Sequence, residues 1–324
     1  MAVKPISRRH HYLPQSYLAA FTDTGLRGGQ FFVLDTQTGY TFRTSPLNVG
    51  AERDFNRVDV EGHAPDAIEN ALAPFEGEAV DAIRRVIDSE AFPTDSDCNL
   101  ILNLLGLIAV RNPKFRRSFN RWREQVLKQI GDLLISDKKI WDHHVEKDRA
   151  AGEGISDSVL FEDAQEFVKN DNYKIEFHPQ GNLRVEFNAF DKLLPLLGQR
   201  TWSVLVAPSD GPEFICSDHP VTLSWKSGQS GPIGFGLKET EVFFPLGRHV
   251  GFYGVFESPL KPVVRCKPGH VATMNKRVAW NSERHVYSSI ESFFVWHEGQ
   301  VREVSCEMKP FVADKLAHKA MQGS

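Results

Sequence analysis

Two adjacent histidines near the start of the chain, His10 and His11, are well suited to chemistry. A neutral imidazole can bind a divalent metal ion or accept a proton near pH 7. Because adjacent side chains point to different sides of any regular structure, one ring can enter a site while the other anchors the segment. The hydroxyl of Tyr17 could serve the same site. The alternative is that both rings satisfy buried carbonyl groups and hold the N-terminal segment in place.

Two carboxylates, Glu69 and Glu76, lie seven positions apart in a segment with the apolar spacing of a helix. Seven positions are almost two helical turns, so both side chains belong to one face. Such a face can hold Mg²⁺ or Mn²⁺, or supply a general base. A solvated helix face is the alternative.

The turn Ser217-Asp218-His219-Pro220 brings a hydroxyl, a carboxylate and an imidazole to the end of an apolar run. Loops at such positions often carry functional residues. An Asx turn, in which Asp218 caps its own loop, explains the same pattern without chemistry.

These residues lead to the hypothesis of one shared pocket. The predicted catalytic set, with Arg111 as an electrophile or phosphate clamp, is His10, His11, Glu69, Glu76, Arg111 and Asp218. The predicted metal ligands are His11, Glu76 and Asp218, because mixed imidazole and carboxylate ligands suit Mg²⁺ or Mn²⁺, with Zn²⁺ as the alternative ion. The predicted substrate-binding residues are Tyr17, Asn48, Arg116, Arg117, Arg121, Ser217 and His219.

This set predicts a metal-dependent hydrolase that cleaves phosphodiester bonds, most simply a nuclease with nucleic acid as its partner. No H-E-x-x-H, G-x-S-x-G, P-loop or G-x-G-x-x-G spacing supports a particular reaction. A non-catalytic module that senses a nucleotide or a peptide is therefore kept as the alternative.

Composition narrows the class of protein. The chain has 324 residues, 41% of them hydrophobic, and 38 Lys and Arg stand against 42 Asp and Glu. These values exclude a disordered or collagen-like chain and a wholly basic polyanion binder.

The charge is unevenly distributed along the chain. The segment 51–96 holds twelve acidic residues against four arginines, and the segment 111–128 holds seven basic residues against one glutamate. The basic segment could present arginines to phosphates, or it could be a solvated face paired with the acidic helix.

Compartment and membrane association follow from what the sequence lacks. No apolar region follows the basic N-terminus, so neither a secretory signal nor a membrane anchor is predicted. The longest apolar stretch, 100–110, is about half the length that a membrane helix needs. The four cysteines are scattered without metal-site spacing, which fits a reducing cytoplasm.

Periodicity predicts helices first and strands later. A hairpin is expected over 30–42, followed by helices over 65–90, from an N-cap at Ser96 or Asp97 to 112, and over 114–134. Strict alternation predicts a second hairpin over 173–187. Further strands are expected at 202–206, 221–225, 241–244, 250–256, 286–290 and 293–296, with a last helix over 309–321.

The predicted fold class is therefore α+β, with a helical portion (about 65–135) packed on a mostly antiparallel sheet portion (about 173–305). We expect a single domain. Its parts are an N-terminal hairpin and helical part (1–136), a charged connection (137–172), which is a long loop or loosely packed helix, and a β-rich part (173–324).

Several sequence blocks, taken in order, resemble the bacterial domain-of-unknown-function family 4238. The specific blocks are the first, His-His-Tyr-Leu-Pro-x-x-Tyr-Leu-x-x-Phe from His10, and the last, Cys216-Ser-Asp-His-Pro-Val221. Weaker blocks lie between them: Asn48 to Phe55, the helix with Glu69 and Glu76, and Arg111-Asn-Pro113. The resemblance implies a bacterial, cytoplasmic protein and brings no activity with it.

Overall fold

The computed structural model describes residues 8–152, 159–171, 173–229, 231–256 and 259–304. The predicted helix over 309–321 and Cys306 lie outside these ranges. The described residues form two compact units, one comprising the chain up to 114 and from 179 onward, the other 115–178. No helix in the described ranges is long and apolar enough to cross a membrane.

The helices within the described ranges are, in chain order, α1 (Gln15–Leu18), α2 (Ala67–Ser89), α3 (Asp95–Val110), α4 (Pro113–Leu134), α5 (Lys138–Ala150), α6 (Phe161–Lys169), α7 (Pro179–Gly198) and α8 (Pro268–Asn281). The strands are β1 (Arg9–His11), β2 (Phe31–Asp35), β3 (Thr41–Thr44), β4 (Ala51–Arg53), β5 (Thr201–Val206), β6 (Cys216–Ser217), β7 (Thr222–Trp225), β8 (Thr240–Pro245), β9 (Val250–Val255), β10 (Val263–Arg265), β11 (His285–Ser288), β12 (Phe293–His297) and β13 (Gln300–Val304). The predicted α+β class is confirmed.

Two larger sheets and two short ribbons make up the β structure. A five-stranded sheet has the order β10-β5-β9-β8-β7, and a four-stranded sheet has the order β3-β2-β11-β6. Strands β1 and β4 form one two-stranded ribbon, and β12 and β13 form another. Every pairing is antiparallel except that of β10 with β5.

The predicted N-terminal hairpin is present as β2 and β3. Its turn forms because Asp35 Oδ1 accepts hydrogen bonds from the backbone N–H groups of Gln37 (2.9 Å) and Thr38 (3.2 Å). The strand β11, from the far end of the chain, then pairs with β2. This sheet therefore ties the N-terminal residues to the C-terminal ones.

Helix α3 begins earlier than predicted. Its N-cap is Thr94, whose Oγ1 accepts a hydrogen bond from Asp97 N–H at 3.2 Å, and not Ser96 or Asp97. The helix is apolar on most sides because α2 and α7 both pack on it. It ends at Val110, before Pro113 begins α4.

The second predicted hairpin, over 173–187, is wrong. Residues 173–178 have no regular structure, and Pro179 begins the helix α7. Alternation over 183–187 resembles a strand, but Leu183, Phe187, Phe190, Leu194 and Leu197 recur at helical spacing over a longer window. The β-rich part therefore starts at β5 and not at residue 173.

Helix α8 is absent from the predicted elements although Pro268 marks its first turn. Its buried side chains Val271 and Val278 join Leu34 and Val286 of the four-stranded sheet, and Phe243 of the five-stranded sheet, in one hydrophobic cluster. The helix thus supplies the apolar surface that both sheets need in order to bury their inner faces.

The second unit contains most of α4 together with α5 and α6. Its side chains contact one another through rings and charges: Arg123 lies over the Phe177 ring at 4.0 Å, and Lys128 Nζ lies 2.7 Å from Asp171 Oδ1. Of the two forms predicted for the charged connection, the helical one is present as α5 and α6.

Candidate functional site

The two opening histidines are positioned by the ribbon of β1 and β4, where His10 lies opposite Glu52 and His11 lies opposite Ala51. His10 is 1% exposed, and its Nδ1 accepts a hydrogen bond from Asn56 N–H at 2.8 Å. The His10 ring therefore anchors the chain that follows β4. The ribbon turns His11 to the other side.

Asn56 connects the functional groups of several segments. It is fully buried, its Oδ1 accepts from Arg111 Nη1 at 3.0 Å, and its Nδ2 donates to Glu69 Oε2 at 2.7 Å. The same amide lies 3.5 Å from the carbonyl oxygen of His11. A buried amide with both ends bonded fixes its partners, since losing one bond would leave a polar atom unsatisfied.

The carboxyl of Glu76 faces Arg111, whose Nη2 lies 3.1 Å from Glu76 Oε1. Arg111 is buried and Glu76 is half-buried, with 3% and 20% of their side chains exposed. Burial raises the pKa of Glu76 to about 7, against the attraction of Arg111 and with a further contribution from the nearby charge of Glu69. Glu76 is thus able to gain or lose a proton near neutral pH.

His11 borders the Glu69 carboxylate. Its backbone N–H points to Glu69 Oε1 at 3.4 Å, and its ring Nε2 lies 2.8 Å from the side-chain amide of Gln15. Burial lowers the pKa of His11, and the charge of Glu69 acts in the opposite direction. The Gln15 amide donates to Nε2 of the neutral ring, so His11 accepts a proton at Nε2 when this hydrogen bond is exchanged.

We call this connected group the polar network. Its members, which come from β1, α2, the chain after β4 and the chain after α3, are His10, His11, Asn56, Glu69, Glu76 and Arg111. The order of these segments follows the blocks noted in the sequence. The family model described as "Protein of unknown function (DUF4238)" matches residues 9–292.

The chain belongs to this family. No curated protein and no solved structure matches it. The DUF4238 match spans the residues of the polar network and the Ser217-Asp218-His219-Pro220 turn. Its description assigns no activity, and the chemistry must be argued from the side chains.

Asn56 is the member of the polar network that the sequence did not indicate as functional. It directly follows the Asn48 to Phe55 block of the DUF4238 resemblance. The sequence alone does not distinguish a buried loop asparagine from an exposed one, because asparagine is common in turns of both kinds. Its proximity to that block is the one available signal.

Asp218, in contrast, binds the backbone. Its Oδ1 accepts from Glu283 N–H at 2.7 Å, and its Oδ2 accepts from the N–H groups of Arg284 (2.7 Å) and His285 (2.8 Å). No hydrogen bond or ion pair between described residues joins Asp218 to the polar network. Three charge-assisted bonds at 6% exposure identify this carboxylate as a structural clamp at the start of β11.

Ser217 and His219 belong to the same clamp. Ser217 is fully buried, and its Oγ accepts from His219 N–H at 3.2 Å. Burial lowers the pKa of His219 to about 3, with a smaller effect of the Lys114 charge in the same direction. Asn281, which ends α8, donates to the carbonyl groups of His219 (2.9 Å) and Val221 (2.7 Å).

Other predicted binding residues lie elsewhere. Tyr17 is fully buried, its hydroxyl donates to the Pro245 carbonyl at 2.7 Å, and its ring stacks on Phe244. This side chain is a core residue and is closed to a substrate. Asn48 is exposed, and its Nδ2 donates to Thr44 Oγ1 at 3.0 Å. Neither residue contacts the polar network through a hydrogen bond in the described chain.

The predicted arginines of α4 belong to the second unit. Arg117 and Arg121 are exposed, and Arg116 is half-buried. Their exposure is compatible with the predicted contact to phosphates, which stays a prediction.

Metal ligands are the remaining question. Among the described residues, no group of three or more His, Cys, Asp or Glu side chains is placed to hold a metal ion. His11, Glu76 and Asp218 are thus not assembled as a ligand set, because Glu76 faces Arg111 and Asp218 binds backbone N–H groups. The polar network does hold a carboxyl with a pKa of about 7, Glu76, which can transfer a proton near neutral pH.

Proposed function

We propose that the chain is a hydrolase whose reaction takes place at the polar network. The observation that carries the proposal is the convergence of His11, Glu69 and Glu76 through Asn56 and Arg111. Four separate chain segments supply these groups. Two of the groups, His11 and Glu76, are partly exposed acid–base groups with displaced pKa values. Such pairs are concentrated at functional sites.

Each side chain has a role in this proposal. The neutral ring of His11 accepts a proton from the attacking water, and protonated Glu76 donates one to the leaving group. Glu69 orients the His11 segment through its backbone N–H. Asn56 and Arg111 act through these residues, since both are buried and hold the carboxylates in place. They are positioning residues.

Phosphodiesters, with nucleic acid as the first substrate to test, are the class that we propose. Arg9 and Arg53 are directly opposite in the β1–β4 ribbon, and two positions separate Arg9 from His11. Directly opposite side chains share a face, so both guanidinium groups lie on one side of the ribbon, where Arg53 Nε lies 3.6 Å from Asp54 Oδ2. The Arg53 side chain is 73% exposed. A phosphate at this face would lie next to His11.

A divalent cation remains part of the proposal in a limited form. Mg²⁺ commonly binds through one or two carboxylates and the phosphate oxygens of the substrate, so it needs no complete set of protein ligands. Glu69 or Glu76 could serve as such a carboxylate for Mg²⁺ or Mn²⁺, with Zn²⁺ as the alternative. We place the activity in the bacterial cytoplasm, which the free thiols of Cys98, Cys216 and Cys266 support.

The test is cleavage of labelled single- and double-stranded RNA and DNA, with Mg²⁺, Mn²⁺ or a chelator. We expect cleavage of at least one substrate, and a loss of about 100-fold or more in Glu76→Gln. Glu78→Gln is the matched control, because Glu78 is exposed on the same helix. Absence of cleavage under every condition, or equal rates in both variants, would contradict the proposal.

A second candidate is a non-catalytic module that senses a nucleotide or a peptide. The observation that favours it concerns Asn56. Its side-chain oxygen and nitrogen both form hydrogen bonds within the polar network, so this residue holds the network together without contacting a substrate. Nucleotide binding that is lost in the double variant Arg9→Glu, Arg53→Glu, without turnover by the parent protein, would select this candidate.

A further inference from the structure

The helix α4 carries an apolar face that is largely open to solvent. Its side chains recur at intervals of three and four positions, so they lie on one side of the helix. We call this face the α4 stripe, and its members are Phe119, Trp122, Val126, Ile130 and Leu133. Trp122 is 57% exposed, Ile130 47% and Leu133 60%. A contiguous exposed apolar surface of this kind marks an interaction site.

Another side of α4 makes the contacts with its own unit. A Cβ atom on Gly131 would lie 3.7 Å from Val168 Cγ1 of α6, and Gln165 Nε2 of the same helix donates to the Ile135 carbonyl at 3.1 Å. At 100° per residue, Gly131 is about 140° around the helix from Val126, the centre of the α4 stripe. The stripe is therefore not the surface that joins α4 to α6.

The spacing within the α4 stripe is symmetric about Val126. The intervals along the chain are three, four, four and three positions. A two-fold axis at Val126 of an antiparallel pair of α4 helices thus brings Phe119 opposite Leu133 of a second copy, and Trp122 opposite Ile130. In a two-fold interface the same surface must complement itself, and this spacing meets that condition.

The charges beside the stripe complement themselves in the same arrangement. Arg121 and Asp132 are both exposed, and they are eleven positions apart, which is about three helical turns and places them on one flank of the stripe. In an antiparallel helix pair, equivalent flanks of the two copies meet, so Arg121 would lie opposite Asp132 of the second copy. No ion pair between described residues uses either side chain, so both are available.

We propose that the α4 stripe is the interface of a homodimer in which two copies of α4 pack antiparallel about Val126. Burial of the apolar side chains supplies the driving force, and the two pairs of Arg121 with Asp132 set the orientation. A single helical face is smaller than the roughly 800 Å² per partner of a standard interface, so we expect dissociation in the micromolar range. The dimer does not depend on hydrolysis at the polar network.

The first experiment is sedimentation equilibrium of the full-length protein from about 5 to about 500 µM. We expect a monomer–dimer equilibrium in the parent protein. Trp122→Ala should weaken the dimer by tenfold or more, because each dimer loses two buried aromatic rings. Leu127→Ala is the matched control: Leu127 is 44% exposed on the same helix but lies about 100° from the centre of the stripe. Its dimer should be as strong as that of the parent.

The second experiment reverses the flanking charges. Arg121→Glu and Asp132→Arg should each weaken the dimer by about three- to tenfold, because each variant places two pairs of like charges opposite one another. A mixture of these two variants should associate about as strongly as the parent, since opposite charges then meet at both positions. Lys192→Glu, at an exposed position of α7, is the control for the change of charge and should have no effect.

A monomeric parent at every concentration would overturn the proposal, and so would an unweakened dimer in Trp122→Ala. A mixture of Arg121→Glu and Asp132→Arg that associates no better than either variant alone would overturn the antiparallel arrangement. If Trp122→Ala does not fold, this mixture decides. A parent that stays monomeric and instead binds phosphatidylglycerol vesicles through Trp122 would assign the stripe to a lipid surface and contradict the dimer.

Discussion

At the scale of single residues, the polar network depends on Asn56. This side chain is fully buried and bonds to Glu69 and Arg111, while its backbone N–H bonds to the ring of His10. An alanine at this position would remove the side-chain bonds to Glu69 and Arg111 and would keep the backbone bond to His10. Only residue types were available from the sequence, and these drew attention to His10, Glu69 and Arg111 but not to Asn56.

The pKa of Glu76 predicts how stability depends on pH. Burial raises this pKa from 4.5 to about 7, so the folded protein binds a proton more tightly than the unfolded chain. The resulting stabilisation is fully present below about pH 4.5 and is lost as the pH rises to about 7. Glu76→Gln removes this dependence.

We therefore expect the unfolding free energy of Glu76→Gln, measured by urea denaturation, to fall less than that of the parent protein between about pH 5 and pH 8, by about 2 kcal/mol. Glu78→Gln, at an exposed site on the same helix, should follow the parent protein. A Glu76→Gln curve parallel to that of the parent would show that the carboxyl titrates normally.

Asp218 provides a second prediction at this scale. Asp218→Ala leaves three backbone N–H groups at the start of β11 without their acceptor, so we expect a loss of about 3 kcal/mol or more in unfolding free energy. Asp210→Ala, at an exposed position, should cost less than about 0.5 kcal/mol. Asp218 would regain its predicted catalytic role if its variant kept full stability and lost only activity.

At the scale of elements, the stretch from 173 to 198 shows where sequence patterns are ambiguous. Five alternating residues at 183–187 fit a strand, while the longer window to Leu197 fits a helix. The decisive factor is tertiary: α7 has α3 as a partner, and its apolar stripe is buried there. The hairpin of β2 and β3 was predictable because its turn residues act locally.

Gly106 tests the contact between α3 and α7. A Cβ atom at this position would lie 3.3 Å from both Leu194 Cδ2 and Phe190 Cε2, so the glycine permits close packing of the two helices. We expect Gly106→Leu to lower the unfolding free energy by about 2 kcal/mol through overpacking. Gly77→Leu, in open space on α2, should raise it by up to about 1 kcal/mol because of helix propensity. Similar effects at both sites would contradict close packing at Gly106.

At the scale of the whole molecule, the α+β class and the family could be predicted from the sequence, because hydrophobic periodicity and the order of motifs are properties of the sequence itself. The meeting of His11, Glu69 and Glu76 was accessible only as a hypothesis. Their distances depend on β4, α2 and the end of α3 folding together, which no local pattern encodes. The separate position of Asp218 depends on β11, about 65 residues later in the chain.

The central claim is that burial within the polar network, to which four separate segments contribute, raises the pKa of the Glu76 carboxyl to about 7. The most direct test is a ¹³C NMR titration of the Glu76 side-chain carboxyl in the folded protein. We expect a midpoint of about 7, and a lower midpoint in Glu69→Gln because the neighbouring negative charge is removed. A midpoint near the ordinary value of 4.5, unchanged in Glu69→Gln, would contradict the claim.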